Sequence, residues 1–573
     1  MKTWRSRELR GCGTPGPTDS GRRWLLKTGG AAAAATFAPH LANAQLLPTM
    51  PTSPPNRPWA QELPVQRPIR PKTELTPLPT LWAERNECGR ADHQAFTRFP
   101  PQEFYEIDVK VGSHKFHPDY PSDEVWGYRG SFPGPLIHAR YGKPVMVRLR
   151  NKLPWDLRGY GSPDVSMHLH NMHTPSESDG YPTDWFSETA YGPTLTRPGR
   201  YKDHHYPMVY AGVDQYGGIG DPREALGTMW YHDHRVDFTS SNVYRGMAGF
   251  FIAFDEIDSG DERDANPMAL RLPSGNFDVP LMLSDKQFDA SGYEIFDQLS
   301  GDGYVGDKQL VNGVIQPFFH VQPRRYRFRL LNASVARVME LQIRHQGRAQ
   351  PFQMIASDGN LLAAPVARYD VMLAPAERAD LVIDFSSVPM GSELYLVNRL
   401  EQRDGRRPED DRLKTPVELL KIVVDQPLAR KDLSRVPYKL REQPPIDMAA
   451  VVQERTFRFD RSGGSWTIND RIFNNRPVAT PRLGTAEIWN LHNESGGWAH
   501  PVHIHFEEGQ MISRNGRAPA PHERGRKDVF YLGPYDRVQI YMRFRDFPGK
   551  YIMHCHNIIH EDHAMMARYD IVA

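Results

Sequence analysis

Cysteine is almost absent: three residues in 573, Cys12, Cys88 and Cys555, are too few for a disulfide framework. No apolar run is long enough for a helix to span a bilayer, so a helical membrane anchor is not expected. A formal net charge of +1 carries no basic or acidic excess, which removes the electrostatic case for a nucleic-acid or anionic-membrane partner. What is plentiful is Pro (50) and Gly (45), a composition that favours many turns and short strands over long helices.

The first 44 residues read as an export signal. Arg22-Arg23 precedes Trp24-Leu25-Leu26, then a small-residue stretch from Gly29 to Ala35, then Ala42-Asn43-Ala44 as a cleavage site. A twin-arginine signal implies export in the folded state, to the periplasm or cell exterior. Cys12 leaves with the leader, and Cys88 then has no partner. The Pro-rich, polar stretch from Leu46 to Pro79 reads as an extended arm outside the core.

The chemistry concentrates near the C-terminus, in His554-Cys555-His556 followed by His560 and Met565. Side chains of a strand alternate faces, so Cys555 leaves one face and its two neighbours the other. Cys555 with His560, Met565 and one more His makes the trigonal His2Cys set with a weak axial thioether that suits electron-transfer copper. Three further pairs repeat the H-x-H spacing: His168 with His170, His232 with His234, and His503 with His505. With His554 and His556 they total eight imidazoles, enough for about three more copper ions. His500, three residues before His503, projects to the opposite face and is the natural second His of the Cys555 set. Zinc also takes His and Cys, but it leaves the single Cys, the Met ten residues on and the eight imidazoles without a common reason.

The runs HLHNMHTPSESDG, TMWYHDHRVDFTSSNVYRGMAGF, HPVHIHFEEGQ and HCHNIIHEDHAMM resemble the four copper signatures of the multicopper oxidases, the family that includes laccases, bilirubin oxidases and the bacterial spore-coat laccase. The resemblance covers most of the chain after the leader and implies four copper ions. By it, His500, Cys555, His560 and Met565 hold a type 1 copper, and His168 and His503 a type 2 copper. His170, His232, His234, His505, His554 and His556 hold the type 3 pair. Asp179 and Glu561 resemble the proton-relay carboxylates of bacterial laccases, although Asp179-Gly180 also reads as an ordinary turn and Glu561 as a surface charge. Asn171 departs from the Gly usual after the first H-x-H.

A weak internal repeat organises the rest. Strands with alternating polarity end at Asn151, Asn332 and Asn493, and Gly549 through His556 aligns without gaps on Gly227 through His234 and on Gly391 through Asn398. The expected fold is all-β, three cupredoxin-like Greek-key β-sandwich domains at 45–258, 259–426 and 427–573, the boundaries falling in DEIDSGDERDAN and DQPLARKDLSR. Each outer unit supplies four of the eight imidazoles, so their site lies between units remote in sequence, and the middle unit, with Val397 where Cys555 and Asp233 stand, is a spacer. The stretch from Tyr191 to Gly227 is expected at the surface, shaping access or serving as a structural insertion.

The resemblance implies one-electron oxidation of phenols or aromatic amines at the type 1 copper and reduction of dioxygen to water at the cluster. An axial Met rather than an apolar residue lowers the copper potential and disfavours difficult donors. The runner-up is a metallo-oxidase of Cu(I), Fe(II) or Mn(II), for which Glu507, Glu508 and Glu561 are candidate donor ligands near His500 and His560. No Met-rich segment points to Cu(I) handling. A noncatalytic periplasmic protein of the same fold requires ligand loss, and all twelve ligands are present. A two-domain copper nitrite reductase needs neither three units nor these paired histidines.

Overall fold

The computed structural model describes residues 51–155 and 159–573. The segment 1–44 expected to be an export signal, with Cys12, lies outside the described residues. Strands hold 42% of the chain and helices 5%, so the architecture is all-β.

Among the described residues six sheets follow one another as three face-to-face pairs. In the first pair, one sheet orders Asp123–Tyr128, Glu103–His114, Val145–Asn151 and Tyr201–Tyr206, and its mate orders Gly134–Arg140, Ala248–Phe254, Thr228–Asp233 and Met167–His170. The middle pair is built on Asp278–Phe288, Arg325–Asn332 and Arg378–Asp384 against Met339–His345, Ser392–Leu400 and Arg412–Val424. The third is built on Val451–Ser462, Thr485–Asn493 and Arg537–Phe544 against His500–Ile504, Gly549–Cys555 and Met566–Ile571. Each pair closes on its own apolar layer: Ile107, Trp126 and Phe251 in the first, Leu281, Phe328 and Leu396 in the middle, and Trp489, Ile540 and Tyr569 in the third. Burying such a side chain contributes roughly 1.5–3 kcal/mol, which is why every strand keeps one apolar face.

The three Asn residues of the repeat do one job three times. Asn332 Nδ2 donates to the carbonyls of Arg337 and Leu373 while its Oδ1 accepts from Ser334 N at 3.1 Å. Asn493 does the same with Trp498, Gly533 and Ser495, and Asn151 with Pro163 and Leu153. An amide that donates and accepts locks the turn leaving a strand, a role Asp or Ser fills only in part.

Two features position the site. The extended arm bridges two sandwiches, pairing at Glu62 with Phe318 and at Lys72 with Phe104. The stretch from Tyr191 to Gly227 differs from the surface location expected. Tyr201–Tyr206 is a fully buried strand, Val209 and Val213 join the third sandwich's core, and buried Glu224 meets Arg526, Arg543 and Arg545 of that sandwich. The segment clamps the first sandwich to the third. Removing Glu224 would strand buried guanidinium groups at a cost of roughly 3–5 kcal/mol.

Candidate metal centre

Gly549–Cys555 is the strand on which everything turns. It pairs antiparallel with His500–Ile504, placing Val502 opposite Cys555 and His503 opposite His554. Alternation sends Cys555 into the third sandwich, where its Sγ lies 3.3 Å from His500 Nδ1 and 3.6 Å from His560 Nδ1, with those two nitrogens 3.2 Å apart. All three residues are buried, as is Met565, whose main-chain N donates to His560 O at 2.9 Å and whose carbonyl accepts from Cys555 N at 3.1 Å. The far nitrogen of each imidazole is occupied: His500 Nε2 pairs with Ser495 Oγ at 2.8 Å, and His560 Nε2 donates to the Asp302 carbonyl at 3.1 Å. A ring nitrogen committed as donor leaves its Nδ1 lone pair free for a cation.

On the other face of the strand, His554 and His556 join the six remaining H-x-H imidazoles in one buried chamber between the first and third sandwiches. His168 Nε2 and His503 Nε2 are 3.4 Å apart. His554 Nε2 lies 3.2 Å from His234 Nε2 and 3.4 Å from His505 Nε2. His170, His232 and His556 form the third group, with ring centroids 5.3 to 5.7 Å apart. Adjacent strands bring these together, since His168 pairs with His232 and His503 with His554.

These donors fit metal ions and little else. Nδ1 of His168 faces the Asp179 carbonyl, that of His232 the Asp233 carbonyl at 2.8 Å, and that of His503 the Asp528 carbonyl at 3.0 Å. His505 Nδ1 meets Asp179 Oδ2 at 2.7 Å and His554 Nδ1 the Cys555 carbonyl at 3.1 Å, while Glu561 lies 3.3 Å from His234 Nδ1 and 3.0 Å from His554 Nδ1 without a hydrogen bond to either. The hydrogen bonds of His168, His232, His503, His505 and His554 fix the tautomer and turn the Nε2 lone pair inward, the arrangement that holds ligating imidazoles. Facing lone pairs at 3.2–3.4 Å repel unless a cation lies between them. Burial drives His500 and His232 down to about 3, so the imidazoles stay neutral, and it pushes the Cys555 thiol well up, so its thiolate needs a bound cation.

Several neighbours were not legible beforehand. Asp528 Oδ2 lies 2.7 Å from His170 Nε2 and 3.3 Å from His503 Nδ1, and Arg378 of the middle sandwich holds Asp528 Oδ1 at 3.0 Å. The only trace of Asp528 in the sequence is a charge at the edge of an apolar strand. With Arg378 here and Asp302 on His560, the middle unit does more than space the outer two. Asp233 faces away from the chamber and accepts from Ser166 N and Asn242 Nδ2, both at 2.8 Å. His173 pairs with Asp546 at 2.8 Å, and His205 donates to Phe99 O, so neither joins the centre. The carboxylates named as donor-metal ligands are engaged elsewhere: Glu507 with Arg545 at 2.9 Å, Glu508 with Arg526 at 2.6 Å, and Glu561 with His234 and His554.

Two family models described as multicopper oxidase match residues 110–194 and 442–572. Bilirubin oxidase of Albifimbria verrucaria is 35% identical over 82% of this chain and 76% of its own length. A laccase of Bacillus stratosphericus is 32% identical over 82% and 96%. The chain belongs to the multicopper oxidase family. Its structure overlays the McoA multicopper oxidase of Aquifex aeolicus with a TM-score of 0.68 at 25% identity, covering 83% of this chain and 97% of that one. The three sheet pairs are accordingly cupredoxin-like sandwiches, and copper is the cofactor that membership of the multicopper oxidases implies. Asn171 stands at φ 72°, a left-handed position, with Nδ2 donating to the Asp358 carbonyl. Asn is the non-Gly residue that tolerates this best, so the departure from Gly leaves the neighbouring imidazole in place.

Proposed function

We propose that this multicopper oxidase couples one-electron oxidation of phenolic or aromatic amine donors to the four-electron reduction of dioxygen to water. His500, Cys555, His560 and Met565 would hold a type 1 copper, His168 and His503 a type 2 copper, and the other six imidazoles the type 3 pair. Copper at these positions supplies one-electron exchange at the first site and storage of four electrons overall. Four phenols each lose one electron and one hydroxyl proton, and one dioxygen takes up four of each and leaves as two waters.

The observation that carries this reading is the division of one strand: Cys555 touches His500 and His560 on one face while His554 and His556 enter the eight-imidazole chamber on the other. The covalent chain through Cys555 is therefore the shortest connection between the two donor sets. Burial of all twelve residues keeps bulk water out. Asp179 holds the Nδ1 proton of His505, and Glu561 stands 3.3 and 3.0 Å from Nδ1 of His234 and His554, so both are positioned to pass protons inward. The organic donor class is favoured because Glu507, Glu508 and Glu561 are all engaged away from His500 and His560. Residues 1–44 support export to the periplasm or cell exterior, and we take 258 and 426 as the domain boundaries.

Steady-state oxygen consumption with a phenol, a diamine, Cu(I), Fe(II) and Mn(II) tests the proposal. Phenols and diamines should be consumed without peroxide accumulating. A strong preference for a metal ion would replace the donor class, and stoichiometric peroxide would overturn the four-electron reduction.

A further inference from the structure

We infer that Arg406, Arg461 and Trp498 form a docking site that selects anionic aromatic donors over His560; this rests on the oxidase reading above and names its substrate class. His500, His560 and Met565 are wholly buried, so no donor atom reaches them directly. What covers His560 is specific. The Asp302 carbonyl of the middle sandwich accepts from its Nε2 at 3.1 Å, and the Trp466 ring lies against it with centroids 3.9 Å apart. Trp466 Nε1 donates to the Gly301 carbonyl at 2.7 Å, pinning this loop in place.

The outer surface of that cover is built around the Asp302 carboxylate. Its Oδ1 accepts from Arg461 Nη1 at 3.0 Å and from Trp498 Nε1 at 3.2 Å, and its Oδ2 accepts from Arg406 Nε at 2.9 Å. Both guanidinium groups stand 5.2 Å from the Trp498 ring centre, and Trp498 meets Trp466 edge to face at 5.4 Å. Asp302 uses one N–H of each arginine. Both Nη groups of Arg406 and Nη2 of Arg461 have no protein partner among the described residues, and the side chains are 51% and 33% exposed. Among the described residues Asp404, itself mostly exposed, is the one other carboxylate within reach, 3.9 Å from Arg406 Nε.

Free guanidinium N–H groups beside an indole match a ring that carries a carboxylate or sulfonate: the anion takes the fork while the ring packs on Trp498. A metal cation would meet two guanidinium groups, and the single exposed carboxylate of Asp404 beside them supplies too few ligands to hold it. A phenol docked here loses one electron, which passes through the Asp302 carbonyl and its hydrogen bond to His560. Its hydroxyl proton goes to solvent, and dioxygen is the final oxidant.

The test compares three 2-methoxyphenols with the same saturated three-carbon side chain ending in carboxylate, carboxamide or ammonium, so that ring potentials match. With copper-loaded enzyme, KM should rise about tenfold from carboxylate to amide and further to ammonium. In R406Q/R461Q the carboxylate-to-amide ratio should fall to near one while the blue thiolate absorption persists. Should that variant fail to fold, the wild-type enzyme still decides: rising salt must raise KM for the carboxylate and not for the amide. Equal KM values for all three, or a salt-independent carboxylate KM, overturns the docking site alone. Failure of any phenol or aromatic amine to support oxygen uptake overturns both this site and the oxidase reading on which it rests.

Discussion

Asp179 Oδ2 lies 2.7 Å from His505 Nδ1, although the two are 326 residues apart and belong to different sandwiches. The Asp179 main-chain carbonyl also receives His168, so this one residue aligns imidazoles from both sides of the chamber. Gly180 makes the approach possible: its φ is +87°, and a Cβ there would lie 2.2 Å from the Met167 carbonyl oxygen. Asp179→Asn keeps an acceptor for His505 but removes a proton carrier. Turnover with dioxygen should fall about 10–100-fold, while the anaerobic bleaching of the blue band by a phenol keeps its rate. A slowed bleaching would place the defect at the Cys555 side instead.

Cys555→Ser should abolish the blue absorption and donor oxidation together, because the buried hydroxyl does not replace a thiolate among His500, His560 and Met565. The eight chamber imidazoles are untouched, so copper content should drop by about one ion per chain. Metal analysis with absorption spectroscopy checks this. A retained blue band would dismiss the assignment of Cys555.

How far the sequence could be read depended on range. Strand alternation around Cys555 and the H-x-H pairs are local, and the same is true of the Asn151, Asn332 and Asn493 turns; each was visible because neighbours in sequence decide it. Asp528 reaches His170 and Asp302 reaches His560 from other sandwiches, and Arg378 acts through Asp528, with no period or spacing to announce any of the three. Burial was misjudged for the stretch from Tyr191 to Gly227 for the same reason. Its Gly, Pro and Tyr content resembles a loop, yet Glu224 and Val213 find partners only once the third sandwich packs against the first. The acidic candidates Glu507 and Glu508 failed as donor ligands because the arginines that take them, Arg545 and Arg526, come from other strands.

Asn171 gives a backbone test beside the chamber. At φ 72° a β-carbon without a compensating side-chain bond is strained, so Asn171→Ala should cost about 1–2 kcal/mol from the left-handed conformation and about 1 kcal/mol from the lost bond to Asp358. Asn171→Gly relieves the first cost and keeps only the second. Urea unfolding of the two variants should rank them in that order. Equal stability would mean that the main chain at 171 relaxes out of this conformation.

His205 provides the pH test, well away from the donor atoms. It is wholly buried; Nε2 donates to the Phe99 carbonyl at 2.8 Å, Nδ1 has no partner, and burial holds its pKa at about 4. In the unfolded chain the same imidazole titrates near about 6.5. Between these values the unfolded chain binds a proton that the folded one refuses, so stability is complete above pH about 6.5 and is lost as the pH falls toward 4. From pH 7.5 to 5.0 this single group accounts for about 2 kcal/mol of lost stability. His205→Gln removes the titration and should lose about that much less than the wild-type protein over the same interval, whatever its absolute stability. Urea midpoints at the two pH values measure the difference, and parallel losses in the two proteins would show that His205 takes up its proton in the folded state.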